Sequence, residues 1–189
     1  DKLVVDRNNM KWLVANDKIL YRFDGSQWRK EQELNVQASD ITVDKDNVLW
    51  ILSESKVLRY DGVTLKIYTD ADGLYTKKTY PPAIPAILVD KNNRKWCISA
   101  NRLMRLDGVK WTDCTTDIPG ATTAIFPAGN DYMEWVSTDA GLWHYDGSSW
   151  TQPISKELLP DPVTKIMNDP NGTMWLISGS RLYRWNGKE

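Results

Sequence analysis

The chain has 189 residues and is nearly neutral, with 24 basic and 25 acidic residues distributed without blocks. This length is enough for one sizeable core, and a single domain is the default expectation. The balanced charge argues against a nucleic-acid partner, which requires a basic face, and the lack of any run of about 18 apolar residues argues against a membrane span. The composition stands out for its large rings, with ten tryptophans and eight tyrosines beside two phenylalanines.

The beginning of the chain contains four short segments separated by turn signals. In order they read LVVD, WLVA, ILYRFDG and SQWRKE, and the turn between the first two reads DRNN. Asn and Asp side chains hydrogen-bond their own backbone and tolerate left-handed angles, and Asp-Gly favours a tight hairpin, so this stretch is typical of four antiparallel strands. The chain starts directly on the first strand without a signal peptide, so the protein is either cytosolic or has its leader outside this chain.

The same unit recurs four more times in nearly constant register. Each copy has a tryptophan at the start of its second strand, and these are spaced 38, 46, 39 and 40 positions apart: Trp12, Trp50, Trp96, Trp135 and Trp175. A turn dipeptide follows each of them 11 or 12 positions later: Asp24-Gly25, Asp61-Gly62, Asp107-Gly108, Asp146-Gly147 and Asn186-Gly187. A second tryptophan follows the glycine in three copies: Trp28, Trp111 and Trp150.

Four short strands repeated about every 40 residues predict an all-β fold, a β-propeller of five blades. The expected blades span about 1–38, 39–84, 85–122, 123–162 and 163–189. The last copy has no segment for a fourth strand, so we expect a three-stranded blade there, or five blades that form part of a larger propeller. Helical repeats would need helical periods, and a β-sandwich would not repeat a tryptophan in register. We expect the tryptophans to fill the spaces between neighbouring blades.

One stretch resembles a known repeat family. The segment DADGLYTKK…AILVDKNNRKWCISANRLMRLDGVKW is similar to the two-component regulator propeller repeat, with its Gly-Leu connector, apolar strand ending in Asp, turn, aromatic-led strand and Leu-x-Arg-Tyr-Asp-Gly hairpin. The resemblance spans all five copies and is weakest in the fourth, where Gly129 replaces the strand-end Asp. Such repeats form the periplasmic sensor region of bacterial hybrid sensor kinases and also free-standing secreted propellers. The resemblance therefore implies a periplasmic or secreted signalling role, although no kinase segment is present in this chain.

The cysteines and the histidine offer little for metal chemistry. Cys97 and Cys114 stand in separate apolar stretches, neither belongs to a CxxC pair, and His144 is the one histidine of the sequence. A zinc site is therefore not expected, and we predict two buried thiols rather than a disulfide, with no metal and no cofactor.

Two recurring polar patterns have both a structural and a functional interpretation. The turns that start at Asp6, Asp44 and Asp90 resemble half of a calcium loop, but the glutamate that such a loop needs at its twelfth position is missing, so Asx turns are the better interpretation. The third strand repeats a basic residue: Arg22, Arg59, Arg105, His144 and Arg184. An anion-binding ring is one interpretation, but we favour stems packed on aromatic rings and heads paired with turn carboxylates.

An enzyme remains the alternative to a binding protein. A glycoside hydrolase or lyase on this scaffold would need two carboxylates directed into the central channel. Asp40 and Asp161 are the candidates, with Asp117 a weaker one, and nothing in the sequence marks them as a pair.

A ligand site is expected on the loops that vary between copies, since variable loops on a repeated scaffold usually carry function. The longest connector contributes Tyr75 and Tyr80, whose rings suit stacking on sugars or peptides, and Lys77, which can add a polar contact. The loops between second and third strands add Asp17, Glu54, Asn101 and Asp139. We expect these residues to be exposed, although the tyrosines equally fit a role in covering the edge of the core. The predicted protein is thus a non-catalytic recognition propeller whose partner is a small molecule, such as an oligosaccharide, or a protein.

Overall fold

The computed structural model describes residues 1–77, 83–127 and 133–187. These residues form five antiparallel sheets, each built from strands that are consecutive in the chain. The first four sheets have four strands and the last has three, which confirms the predicted propeller and its three-stranded final blade. No helix in these ranges is long and apolar enough to cross a membrane.

The strands follow the repeat closely. Blade 1 contains β1 (Lys2–Val5), β2 (Lys11–Ala15), β3 (Ile19–Phe23) and β4 (Trp28–Glu33), and blade 2 contains β5 (Ala38–Val43), β6 (Leu49–Ser53), β7 (Val57–Tyr60) and β8 (Leu65–Tyr68). Blade 3 contains β9 (Ile87–Val89), β10 (Lys95–Ser99), β11 (Arg102–Asp107) and β12 (Lys110–Asp113). Blade 4 contains β13 (Thr122–Pro127), β14 (Met133–Thr138), β15 (Gly141–Tyr145) and β16 (Trp150–Ile154), and blade 5 contains β17 (Val163–Asn168), β18 (Met174–Ser178) and β19 (Arg181–Trp185). Short 3-10 helices follow β8 at Asp70–Asp72 and β12 at Thr115–Asp117.

The strand-end aspartate organises the turn between the first and second strands. In blade 1, Asp6 Oδ1 accepts hydrogen bonds from the backbone N–H groups of Asn8 and Met10, both at 2.9 Å. The other oxygen, Asp6 Oδ2, accepts the indole N–H of Trp12 at 3.0 Å. The same indole bond recurs in three further blades, from Trp50 to Asp44, from Trp96 to Asp90 and from Trp175 to Asp169. The predicted Asx turns are therefore confirmed, and their carboxylate oxygens are engaged in holding the turn and the tryptophan together.

Each interblade space holds a separate apolar cluster. In the first, Trp12 meets Tyr60 of blade 2 edge to face, with ring centroids 6.2 Å apart. In the third, Trp96 is fully buried against Tyr145 of blade 4. The prediction that the tryptophans fill these spaces is confirmed for four of them, which are buried: Trp12, Trp50, Trp96 and Trp135.

The fifth repeated tryptophan departs from this pattern. Trp175 keeps its hydrogen bond to Asp169 but is 37% exposed, and Leu182 on the same side of blade 5 is 65% exposed. Among the described residues, the first strands of successive blades contact one another extensively, whereas the strands of blades 1 and 5 do not. The expectation that Trp175 fills an interblade space is therefore wrong for this structure, because no blade among the described residues packs extensively on that face. The opposite face of blade 1 likewise exposes Leu3 and Val5.

The third-strand basic residues lie opposite the tryptophans in register. Arg105 pairs with the adjacent Asp107 at 2.8 Å while its guanidinium lies 5.3 Å from the centre of the Trp96 ring. Arg59 pairs with Asp61 at 2.8 Å. These contacts confirm the structural interpretation for Arg59 and Arg105, whereas Arg22 differs in pairing with Glu31 across the hairpin.

Both thiols are free and buried, as predicted, and they lie in different interblade clusters. Burial raises the pKa of each thiol, that of Cys114 to about 12. Neither thiol is therefore a nucleophile in the folded protein.

Candidate functional site

The variable loops and the connectors lie at one end of the sheets, because antiparallel strands place alternate connections at the same end. Four of the predicted site residues occupy equivalent loops between second and third strands: Asp17, Glu54, Asn101 and Asp139. Lys77 is exposed on the long connector, and Tyr80 lies outside the described residues. The structure therefore places Lys77 and these four loop residues at one end of the sheets, which we call the variable-loop face.

Several of these polar groups hold the loops to the connectors. The Asn101 side-chain oxygen accepts the backbone N–H of Ala83 at 2.6 Å. Asp139 Oδ1 accepts the backbone N–H of Ala121 at 2.8 Å. The expected exposure is found for Lys77, Glu54 and Asp139 but not for Asp17 and Asn101, which are half-buried. The backbone partners of Asn101 and Asp139 are connector residues, and the repeat pattern does not align these with the loops. This structural role could therefore not be predicted from the sequence.

Tyr75 is half-buried, contrary to the prediction. Its ring packs against the cluster between blades 2 and 3, and its carbonyl oxygen accepts the hydroxyl of Ser99 at 2.6 Å. The guanidinium of Arg102 lies 4.9 Å from the ring centre and also bonds the Asp113 carboxylate at 3.0 Å. Tyr75 therefore covers the edge of the core, and the patch that remains accessible beside it is charged.

Hydrogen bonds near the variable-loop ends of the first strands join the blades in sequence. Ala38 N–H bonds the carbonyl of Asp17 at 2.7 Å, and Ile84 N–H bonds the carbonyl of Thr123 at 3.0 Å. Val163 N–H bonds the Ser137 hydroxyl at 2.9 Å. Between blades 2 and 3 the acceptor is the Asp40 carboxylate, which receives Ile87 N–H at 2.9 Å. Asp40 thus serves in the structure as an interblade link.

Asp40 is the unusual carboxylate among the predicted channel residues. Burial raises its pKa above the ordinary 3.8, although the backbone N–H groups of Ile87 and Ile41 and the charge of Lys2 act in the opposite direction. Asp117 and Asp161 are exposed residues of the connectors that follow blades 3 and 4, and the Asp161 carbonyl accepts the Ser178 hydroxyl at 2.6 Å. The three carboxylates therefore belong to separate parts of the ring, and each is surrounded differently.

A groove between blades 4 and 5 was missed by sequence reasoning. Its volume is about 710 Å³, and its lining includes these residues: Glu134, Trp135, Asp169, Met174, Trp185 and Gly187. The rings of Trp135 and Trp185 meet edge to face with centroids 5.7 Å apart. Glu134 lies 3.7 Å from His144, which packs on Trp135. In the sequence, blade 4 departs from the repeat by having Gly129 in place of the strand-end aspartate and His144 in the arginine column.

The fold of this chain is similar to those of several solved structures. No protein-family model and no curated protein matches the sequence. Among solved structures, a catalytically inactive virginiamycin B lyase from Staphylococcus aureus with quinupristin matches with a TM-score of 0.66 and 14% identity, covering 97% of this chain and 68% of the lyase. The extracellular domain of the hybrid two-component system BT3049 from B. thetaiotaomicron matches with a TM-score of 0.60 and 18% identity, covering 98% of this chain and 28% of that one.

A further extracellular domain, that of BT4673 from the same organism, matches with a TM-score of 0.67 and 14% identity over 98% of this chain and 27% of its own. Identities this low show the fold and no more. The chain spans about two thirds of the lyase and little more than a quarter of the two extracellular domains. The protein is therefore a β-propeller, a fold that it shares with these extracellular domains and with the lyase.

Proposed function

We propose that the protein is a non-catalytic recognition module of the sensor type, which binds a small molecule or a partner on the variable-loop face. The observation that carries this proposal is that the carboxylates and thiols of the repeated scaffold have structural roles. The Asp6 carboxylate holds a turn and a tryptophan, Asp40 bonds a backbone amide, and both thiols are buried. The groups that differ from blade to blade, such as Lys77 and Glu54, are exposed on the variable-loop face.

The environment of His144 supports binding over catalysis. The matched lyase is described as catalytically inactive with a histidine replaced by alanine. Here the one histidine lies on β15, the third strand of its blade, where it packs on Trp135 at 4.7 Å between ring centroids. It occupies the column that holds arginine in the other blades, which is a structural position rather than one at the channel.

The alternative is a glycoside hydrolase or lyase that uses channel carboxylates. One observation favours it, because a carboxyl group with a raised pKa, such as that of Asp40, is the type that general acids require. Substitution distinguishes the two functions. Turnover of an oligosaccharide that is lost in Asp40→Asn, with folding intact, would establish the enzyme.

A periplasmic or secreted location fits the recognition module, as does carbohydrate as a ligand class. The support is the repeat resemblance together with the extracellular domains that share the fold.

The binding proposal is tested by titrating intrinsic tryptophan fluorescence with a panel of oligosaccharides and peptides. Lys77→Ala should weaken binding of the active compound about tenfold, whereas Lys110→Ala, an exposed lysine on β12 beside the Asp107-Gly108 hairpin at the other end of the sheets, should leave it unchanged. If only the Lys110 variant loses affinity, the ligand lies on the opposite face and the proposed site is wrong. Both lysines are exposed, so neither variant should alter folding.

A further inference from the structure

In three of the interblade spaces, a side chain of the protein itself fills the space beside the repeated tryptophan. Between blades 3 and 4 the occupant is Arg94, two positions before Trp96. Its Nε bonds the Asp90 carboxylate at 2.7 Å, one Nη bonds the carbonyl of Gly147 at 2.7 Å, and its guanidinium lies 5.2 Å from the centre of the Tyr145 ring. A guanidinium is therefore held here by a carboxylate, a hairpin carbonyl and an aromatic face.

The other two spaces have different occupants. Between blades 2 and 3, Lys95 places its ammonium 2.9 Å from Asp44 and 5.1 Å from the centre of the Trp50 ring. Between blades 1 and 2, Met10 takes the position of Arg94 and packs against the cluster that contains Trp12.

Between blades 4 and 5 neither position fills the space. Met133 stands where Arg94 stands in blade 3, but it is buried in the cluster between blades 3 and 4 and so lies on the wrong side. Met174 replaces Lys95 and ends on the floor of the groove. The backbone explains the difference, because the pairing of β13 with β14 shifts register between Phe126 and Pro127, at the residue paired with Met133. The result is the groove of about 710 Å³.

The remaining parts of the guanidinium site are present in this groove. Trp185 occupies the position of Tyr145, and Gly187 occupies that of Gly147. Glu134 supplies a carboxylate on the wall, and its side chain is partly accessible.

We propose that the groove between blades 4 and 5 binds the guanidinium of an arginine side chain in a peptide ligand or partner. The side chain would take the place that Arg94 takes one blade earlier, with its plane against Trp185 and its N–H groups toward Glu134 and the Gly187 hairpin. Planar stacking with forked donors is the recognition that arginine provides and lysine does not. This site lies between two blades and is separate from the variable-loop face, so it can fail or succeed independently of the proposed function.

The test uses three short peptides that differ in one side chain: acetyl-Gly-Arg-Gly-amide, the same peptide with citrulline, and the same peptide with lysine. Citrulline keeps the shape and removes the charge. Tryptophan fluorescence should report saturable binding of the arginine peptide, with at least about tenfold weaker binding of the citrulline peptide and an intermediate affinity for lysine. Equal binding of the arginine and citrulline peptides, or no saturation at concentrations of tens of millimolar, would overturn the proposal.

Three variants test whether the peptide binds in the groove. Glu134→Gln should weaken the arginine peptide about tenfold, and Glu157→Gln, an exposed glutamate on the connector after β16, should not. Met174→Lys restores the internal cation found at Lys95 and should abolish peptide binding while the protein stays folded, as thermal unfolding will show. A folded Met174→Lys protein that binds the arginine peptide like the parent would place the binding elsewhere and refute the groove. Unfolding of Met174→Lys would leave the decision to the Glu134 and Glu157 pair.

Discussion

Replacement of the repeated tryptophans by alanine should have very different costs in blades 2 and 5, although the residues occupy the same position of the repeat. Trp50 is 3% exposed, its ring stacks on Tyr68 at 5.9 Å, and its indole N–H bonds Asp44. Removing such a buried ring costs about 3–5 kcal/mol, the usual range for a large aromatic in a core. Since Asp44 keeps its ion pair with Lys95 at 2.9 Å, its carboxylate is not left without a partner and no large additional penalty is expected.

Trp175 keeps the equivalent hydrogen bond, at 3.4 Å to Asp169, but it is 37% exposed, and no blade within the described ranges packs extensively on its face. Trp175→Ala should therefore cost about 1 kcal/mol. Chemical denaturation of the parent and the two variants, followed by far-ultraviolet circular dichroism, measures both values. Equal losses would show that a further surface covers Trp175 in solution, or that the interblade cluster contributes less than its burial implies. Either result would refute the account of the interblade core given above.

Three further predictions concern titrating groups. Burial raises the pKa of Asp40, so the folded state holds its proton more tightly than the unfolded state, and the contribution of this group to stability falls as the pH rises above 3.8. Asp40→Asn keeps an acceptor for the Ile87 N–H, so the free energy of unfolding of this variant should fall less steeply with pH above 3.8. A pH dependence equal to that of the parent would contradict this prediction. Hydrogen bonds from the Thr64 backbone, the Arg59 side chain and the Val63 backbone lower the pKa of Asp61 to about 2, so its contribution is present above 3.8 and is lost as the pH falls toward 2. Asp61→Asn should reduce acid destabilisation over that range, and a variant as acid-sensitive as the parent would count against it. Finally, burial raises the pKa of both thiols, so Cys97 and Cys114 should react with a thiol reagent only at the rate of unfolding, whereas rapid labelling of the native protein would show an open interblade cluster.

The parts of the site that sequence reasoning located are those with a repeated signal. The loop positions of Asp17 and Asp139 are equivalent in the repeat, so their placement on one face could be predicted from the alternation of strands. Their exposure could not be predicted in the same way, because it depends on the connectors. Tyr75 illustrates this, since Arg102 and Ser99, both more than 20 residues further along the chain, hold it against the core. Asp40 is bonded to Ile87 of the next blade, and no local pattern indicates that contact.

The sequence alone determined the blade, because the interactions that define it are local. Asp6 holds a turn within the next four residues and a tryptophan six residues on, and Asp-Gly closes the following hairpin, so each copy encodes its own strands. Only the tertiary structure decided what lies between the blades, because burial depends on a neighbour that the local pattern does not specify. Trp50 and Trp175 have the same motif, yet one is in the core and the other is partly exposed. Met10 and Met133 have the same repeat position, yet one fills its interblade space and the other points away and leaves a groove, because a register shift in blade 4 turns its side chain to the opposite face.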